Sequence, residues 1–275
     1  MKTNNKKLPL IIVAIVLLLG GGIFAVSKMG GSKPTEQTES KKKKTVLEPK
    51  NIIDVAMRPY VMLSPVSGGH HINIKIVEVP KEATEVEYEL EYQSGTLLQG
   101  FGDLLKLDTL PVSTQKLFGS QSAGGAITYH EDIKGGSLQL RFIGSENYVL
   151  KQDWRYFENK TKETTFSSKD AKFQIDSDDL ALNRLVLIYN TPGVPKGIDE
   201  GMMIASDAYS LTSASKVSGD ANTVSIRANE EGELTLMGYD GTSWTELDSE
   251  VEGKVVTAED VSLMELYVVV KEAIN

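Results

Sequence analysis

The 275-residue chain contains no cysteine. That excludes disulfides, thiolate nucleophiles and cysteine-ligated zinc, so any exported domain in it is held by its core alone. Histidine is scarce: His70, His71 and His130 are the three in the chain. No Gly-x-x-x-x-Gly-Lys-Ser/Thr loop is present to cradle a phosphate, and no Gly-x-Ser-x-Gly elbow to present a nucleophile. Positive charge is outnumbered beyond the first 44 residues. Those residues hold nine lysines and two glutamates, a net +7, against −9 for the whole chain, which leaves −16 on residues 45–275. An acidic block of that size repels nucleic acid and anionic lipid surfaces, so nucleic acid is not expected as a partner.

Long apolar runs are as rare as cysteine, with one exception. Leu8 to Val26 (LPLIIVAIVLLLGGGIFAV) carries no charge. As a helix it would extend about 28 Å, close to the ~30 Å hydrocarbon core of a bilayer. Lys2, Lys6 and Lys7 precede it, within a short basic tail, residues 1–7, that resembles the n-region of an export signal. The run is therefore expected to meet the membrane, either as a retained signal anchor or as a signal peptide cut near Ala25-Val26-Ser27. Its length exceeds the usual h-region of about 7–15 residues and favours retention. Lys28, Lys33 and Lys41 to Lys44 on the other side would by themselves argue for a domain facing inward. Long domains translocate largely regardless of such charges, and the expected orientation is N-terminus in, domain out.

Residues 27–50 (SKMGGSKPTEQTESKKKKTVLEPK) are nearly devoid of apolar side chains and read as a flexible Lys-rich tether. Beyond it the period is two. His71 to Val79 places Ile72, Ile74 and Ile76 on one face. In Thr84 to Tyr92 the residues Val86, Tyr88, Leu90 and Tyr92 face one way and Glu85, Glu87, Glu89 and Glu91 the other, a half-buried strand with a solvated acidic face. Further strands are expected at Gly102–Asp108, Gly125–His130, Ser137–Ile143 and Tyr148–Phe157, separated by glycine turns. The polar stretch Asn159 to Asp170 marks a boundary. A second strand-rich block follows, with strands at Ala171–Ile175, Arg184–Tyr189, Met202–Ser206, Ala208–Thr212, Thr223–Ala228, Glu233–Tyr239, Trp244–Leu247, Lys254–Thr257 and Leu266–Lys271. Asp179 to Asn183 reads as a short turn or helix. The expected fold is all-β: two tandem β-sandwich domains after a single N-terminal transmembrane helix, the first over residues 51–160, a linker at 161–170, the second over 171–275.

Gly232 to Val270 (GELTLMGYDGTSWTELDSEVEGKVVTAEDVSLMELYVVV) resembles the last hairpins of β-sandwich domains in bacterial and archaeal surface proteins. Tyr239, Asp240, Gly241 and Trp244 match their Tyr-Asp-Gly-x-x-Trp hairpin, and Val256, Thr257, Ala258 and Tyr267 match the strands that follow. Ala208-Tyr209-Ser210-Leu211 fits an earlier strand. The resemblance implies structural roles, Gly241 making a turn and Trp244 covering the hairpin, and no catalysis. Lys116 to Phe142 (KLFGSQSAGGAITYHEDIKGGSLQLRF) is similar to a stretch of N-terminally anchored bacterial proteins with immunoglobulin-like sandwiches. Some of those carry cysteines there, and if a disulfide closes that loop in them, its stabilisation has no counterpart in this chain.

Few residues suggest chemistry. His70 and His71 are adjacent, and neighbouring strand residues point to opposite faces, so one metal does not readily take both. Asp176, Asp178 and Asp179 begin like a calcium loop, but Ala181 stands where a glycine is needed and Leu187 where a glutamate is. His130 lies beside Glu131 and Asp132. No catalytic, cofactor-binding or metal residue is assigned. The expectation is a non-enzymatic interaction or structural protein of the cell envelope. It would contact the membrane through Leu8 to Val26 and a protein or glycan partner through loops or an exposed edge strand. Ser113–Gly125 and the Pro-rich Asn190–Gly201 are the loops expected to serve, the latter removable without loss of folding. An extracytoplasmic carbohydrate-active enzyme with paired carboxylates and a calcium-dependent adhesion module are the alternatives. The sequence gives no oligomeric state.

Overall fold

Residues 49–273 are described in the computed structural model of the chain. The basic tail, the apolar run at 8–26 and nearly all of the tether lie outside the described residues. Among the described residues no helix is long and apolar enough to cross a membrane. The described part is all-β, with two short 3-10 turns, Val55–Met57 and Asp178–Leu182.

In chain order the strands are β1 (Tyr60–Pro65), β2 (His71–Glu78), β3 (Glu85–Ser94), β4 (Leu97–Lys106), β5 (Val112–Leu117), β6 (Gly119–Gln121) and β7 (Ile127–Tyr129). Next come β8 (Ile133–Ile143), β9 (Tyr148–Glu158), β10 (Thr165–Ser167), β11 (Phe173–Asp176), β12 (Leu185–Thr191), β13 (Met202–Ile204) and β14 (Ala208–Ser213). The last are β15 (Asp220–Arg227), β16 (Thr235–Tyr239), β17 (Trp244–Leu247), β18 (Glu250–Glu252), β19 (Val255–Ser262) and β20 (Leu266–Glu272).

One antiparallel ten-stranded sheet runs through both halves of the sequence, in the order β17-β16-β20-β14-β12-β9-β8-β3-β4, with β13 paired to β20. The join is the β9–β12 ladder, in which Phe157 faces Val186 and Trp154 faces Tyr189. A three-stranded sheet, β1-β2-β5, and a five-stranded sheet, β10-β11-β15-β19-β18, cover different parts of it.

The alternation along β12 shows how. Leu185, Leu187 and Tyr189 enter a core with Ile72, Ile74 and Ile76 of β2, Val86, Tyr88 and Leu90 of β3, and Trp154. Val186 and Ile188, on the other face, enter a second core with Phe173, Val224, Ile226, Val256 and Tyr267. Successive strand residues point to opposite faces, so the two smaller sheets lie on opposite faces of the large one. Each fully buried aliphatic or aromatic side chain in these cores contributes about 1.5–3 kcal/mol.

The Glu85, Glu87, Glu89 and Glu91 face of β3 stays open, opposite the first core. Residues 161–170, expected as a linker, include β10, and Phe166 there is buried in the second core.

A third apolar cluster lies on the face of β20 opposite the second core. Leu266, Val268 and Val270 pack there with Tyr60, Val194, Ile198 and Trp244. The segment Asn190–Gly201, expected as an expendable loop, begins within β12, and its residues 192–201 form part of this cover. Pro192, Gly193 and Pro195 are buried, and a Cβ on Gly193 would fall 2.2 Å from the Arg58 carbonyl oxygen. The expectation that this segment can be removed without loss of folding does not fit such packing. The other expected loop, 113–125, is largely strand. β5 pairs with β2 along its whole length, and β6 pairs with β7.

Candidate functional site

A cleft of about 890 Å³ lies among β8, β9 and the turns beside them. Five segments form it: the β1–β2 turn at Gly68-Gly69-His70, the 130–134 connection into β8, the last residues of β9 with the 159–163 turn, Phe166 of β10, and Arg184 before β12. The local sequence sets each wall. Gly68 and Gly69 both adopt positive φ, +95° and +80°, which glycine tolerates without steric cost. Gly135 and Gly136 let β8 squeeze between its neighbours, since a Cβ would lie 2.3 Å from the Trp154 carbonyl oxygen in the first case and 1.9 Å from that of Glu91 in the second. The β3–β8 register shifts beside them, between Gln93 and Ser94. That shift turns Glu131 and Asp132 onto the rim, where Ser94 Oγ donates to the Glu131 carbonyl at 2.7 Å. Asn159 closes the far wall by accepting from Glu163 N at 2.7 Å and donating to the carbonyls of Glu163 and Leu180.

Two of the three histidines meet in this cleft. His70 stacks on Tyr129, with ring centroids 4.0 Å apart. His130 Nδ1 lies 2.8 Å from the Tyr92 hydroxyl. Burial pushes the Tyr92 phenol up, against a backbone contact from Gly119 that lowers it. Burial also pushes the Tyr156 phenol up, with Glu158 adding to it, and Tyr156 donates to the Gly69 carbonyl at 3.2 Å. His71 is elsewhere, within β2 opposite Leu117.

The remaining lining is of mixed charge. Lys134 pairs with Asp132 and Lys160 with Glu158. Arg155 donates through Nη1 to Ser167 O and Oγ at 3.2 and 2.8 Å, its guanidinium 4.6 Å from the Phe157 ring centroid. Arg184 and Glu163 complete the wall. Such a lining presents hydroxyl, imidazole and guanidinium donors beside carboxylate acceptors, a set suited to a polar ligand with hydroxyl or mixed-charge groups.

The other sequence candidates are occupied by structural work. Asp176 accepts from Thr164, Thr165 and Asn222, and these bonds hold its carboxyl below the usual carboxylate range. Asp179 accepts from Asp220 N at 2.9 Å. Among the described residues no three His, Asp or Glu side chains are grouped to hold a metal ion. The acidic row of β3 meets Arg141, whose Nε lies 3.5 Å from Glu87, and Ser137, whose hydroxyl donates to Glu91. In the Tyr239–Trp244 hairpin Asp240 accepts from Thr242 N and Ser243 N at 2.7 and 2.8 Å. Gly241 has φ +95°. Trp244 packs on Tyr239 and donates Nε1–H to the Pro195 carbonyl at 3.2 Å.

Arg155 and Arg184 in the cleft, and Tyr92 and Tyr129 in contact with its histidines, are residues that the sequence reading did not single out for a site. Their contacts join positions far apart in the chain, 38 residues in the case of Tyr92 and His130, and no local pattern announces them. No family model matches the chain, and no curated protein or solved structure matches it either.

Proposed function

We propose that this chain is a single-pass, membrane-anchored extracytoplasmic protein with a non-enzymatic interaction or structural role in the cell envelope. The observation that carries the reading is the uncharged apolar run at residues 8–26, followed by a polar tether and then by an acidic all-β block. In this reading the run is the retained anchor, and the β block is a pair of β-sandwiches, built around the ten-stranded sheet and akin to those of bacterial surface proteins. The mixed-charge cleft at His70, His130, Arg155 and Arg184 is where an envelope protein or glycan binds. The test is protease digestion of intact cells against lysed cells, with alkaline extraction of the membranes. The β block is expected to be cleaved from intact cells while the N-terminal fragment stays in the membrane pellet. A β block protected until lysis, or a full-length chain released by alkali, overturns the reading.

A further inference from the structure

The two edges of the ten-stranded sheet are unlike. At one end stands β17, four residues long. At the other stands β4, ten residues long, with no neighbour on its outer side among the described residues. Proteins blunt a sheet edge with short strands, proline, bulges or charge, because its unpaired N–H and C=O groups are a template for another strand. β4 has no proline, and its ladder with β3 shows no register shift.

The hydrogen-bonding phase of that edge is visible. Leu107 N, just beyond the strand, donates to the Thr84 carbonyl on the β3 side. Leu104 N instead turns to its neighbour's side chain, Asp103 Oδ1, at 2.9 Å. Odd-numbered residues thus bond to β3, and Leu98, Gly100, Gly102, Leu104 and, at the strand's end, Lys106 aim their backbone groups outward. The first four, which form the central stretch, are uncharged. Leu98 and Leu104 are also 68% and 40% exposed.

The strand is close to a palindrome. Leu97-Leu98-Gln99-Gly100-Phe101-Gly102-Asp103-Leu104-Leu105 reads alike in both directions about Phe101, except that Gln99 stands opposite Asp103. We propose that β4 pairs antiparallel with β4 of a second copy of this chain, about a two-fold axis at Phe101. An isologous contact requires a self-complementary surface, and in this register the outward-bonding residues meet one another, Leu98 with Leu104 and Gly100 with Gly102. Leu97 meets Leu105, Gln99 meets Asp103, and the two Phe101 rings meet on the axis.

The open acidic face tolerates the contact. In the row through Glu91 and Gly100 the next residues are the partner's Gly102 and Glu89. The carboxylates are then three strand spacings apart, about 14 Å, beyond the ~8 Å screening length at physiological salt. On the other face Gln99 can donate to the partner's Asp103, which keeps Lys116 Nζ at 2.7 Å through Oδ2. Leu104 N exchanges its bond to Asp103 Oδ1 for one across the interface.

The absence of cysteine allows a direct test in the full-length chain, both in cell membranes and in detergent. In the L98C/L104C variant each new cysteine faces the other type across the interface, with Cα atoms about 5.5 Å apart, within disulfide range. Within one chain the same positions are about 20 Å apart. Mild oxidation should convert the double variant to a disulfide-linked dimer, while L98C and L104C alone stay monomeric on non-reducing gels. L98K/L104K should sediment at half the mass of the parent with an unchanged melting curve. No more dimer from the double variant than from the single ones overturns the proposal, as does L98C alone linking equally well, which would mean another register or random collision. Neither result bears on membrane anchoring, which is read by the protease experiment.

Discussion

Ile188→Ala tests whether the ten-stranded sheet makes the two cores one cooperative unit. Ile188 is fully buried in the second core, while Leu187 and Tyr189 on the same strand are buried in the first. Truncating a fully buried isoleucine removes its transfer free energy and leaves a cavity, for about 3–4 kcal/mol in total. For a unit of some 225 residues, each kcal/mol lowers the melting temperature by about 2–4 °C, so the expected drop is roughly 6–16 °C. The chain has two tryptophans, Trp154 and Trp244. In a Trp244→Phe background the remaining probe, Trp154, lies wholly within the first core.

If the β9–β12 ladder couples the halves, Trp154 fluorescence and far-UV ellipticity report one transition, shifted equally by Ile188→Ala. Leu187→Ala, on the opposite face of β12, should shift the same single transition by a comparable amount. A Trp154 transition that stays in place while ellipticity reveals an earlier one would refute the reasoning. The halves would then melt independently despite the continuous sheet.

Three further outcomes are expected. Gln152 is fully buried, and neither side-chain amide atom hydrogen-bonds to the protein; such an orphaned group costs about 1–3 kcal/mol. Gln152→Met should therefore raise the urea midpoint with an unchanged m-value, and a lowered midpoint would contradict it. Deleting residues 194–199 should bare the cluster of Tyr60, Leu266 and Val268, lower the melting temperature and increase dye binding to apolar surface; a deletion as stable as the parent would remove this segment from the fold. Burial pushes the Asp170 carboxyl up, but hydrogen bonds from Ser168, Tyr209 and Lys172 N more than offset this and leave it below the usual range. A depressed folded value means the carboxylate adds stability above the unfolded value of about 3.9, and that stability fades as pH falls through the lower folded value. The stability difference between the parent and Asp170→Asn should therefore be largest at about pH 6 and shrink toward pH 3 in urea titrations. A difference that stays constant with pH would assign the effect to packing.

Strands with one wet face were legible because their alternation is written into the residues. Glu85 to Tyr92 is the clearest, and β3 falls there. Trp244–Leu247 also coincides with its strand. The reading of two separate sandwiches passed over Leu185-Val186-Leu187-Ile188-Tyr189 and Leu266-Tyr267-Val268-Val269-Val270. Both runs are apolar without alternation, the mark of strands buried on both faces. In the structure both lie inside the ten-stranded sheet with a cluster on either side. The polar stretch that precedes the second sequence block holds, at 159–164, the turn by which the chain passes from β9 in the ten-stranded sheet to β10 in the five-stranded one. The cleft was not legible at all. His130 and Tyr92, or His70 and Tyr129, become neighbours only through sheet register, and register depends on turns whose geometry a single sequence does not specify.

The continuous sheet also accounts for where free surface remains. A sandwich covers one face of each sheet, but here the covering sheets sit on opposite faces of one shared sheet, so β12 at the join is buried on both sides and carries no polar row. Its neighbour β9 already keeps Lys151, Asp153 and Arg155 on a half-exposed face, and the solvated alternation continues outward along β8 and β3. The Glu85–Glu91 row is thus the wet side of strands far from the join, balanced across the ladder by Arg141, and needs no ligand to explain it. β4 is different. Its outward residues combine exposed leucines with bare glycines, which neither a solvated face nor a packed one favours. A strand that seeks neither water nor a neighbour within its own chain is accounted for by a neighbour from another, and the symmetry of its sequence about Phe101 makes a second copy the partner with the matching pattern.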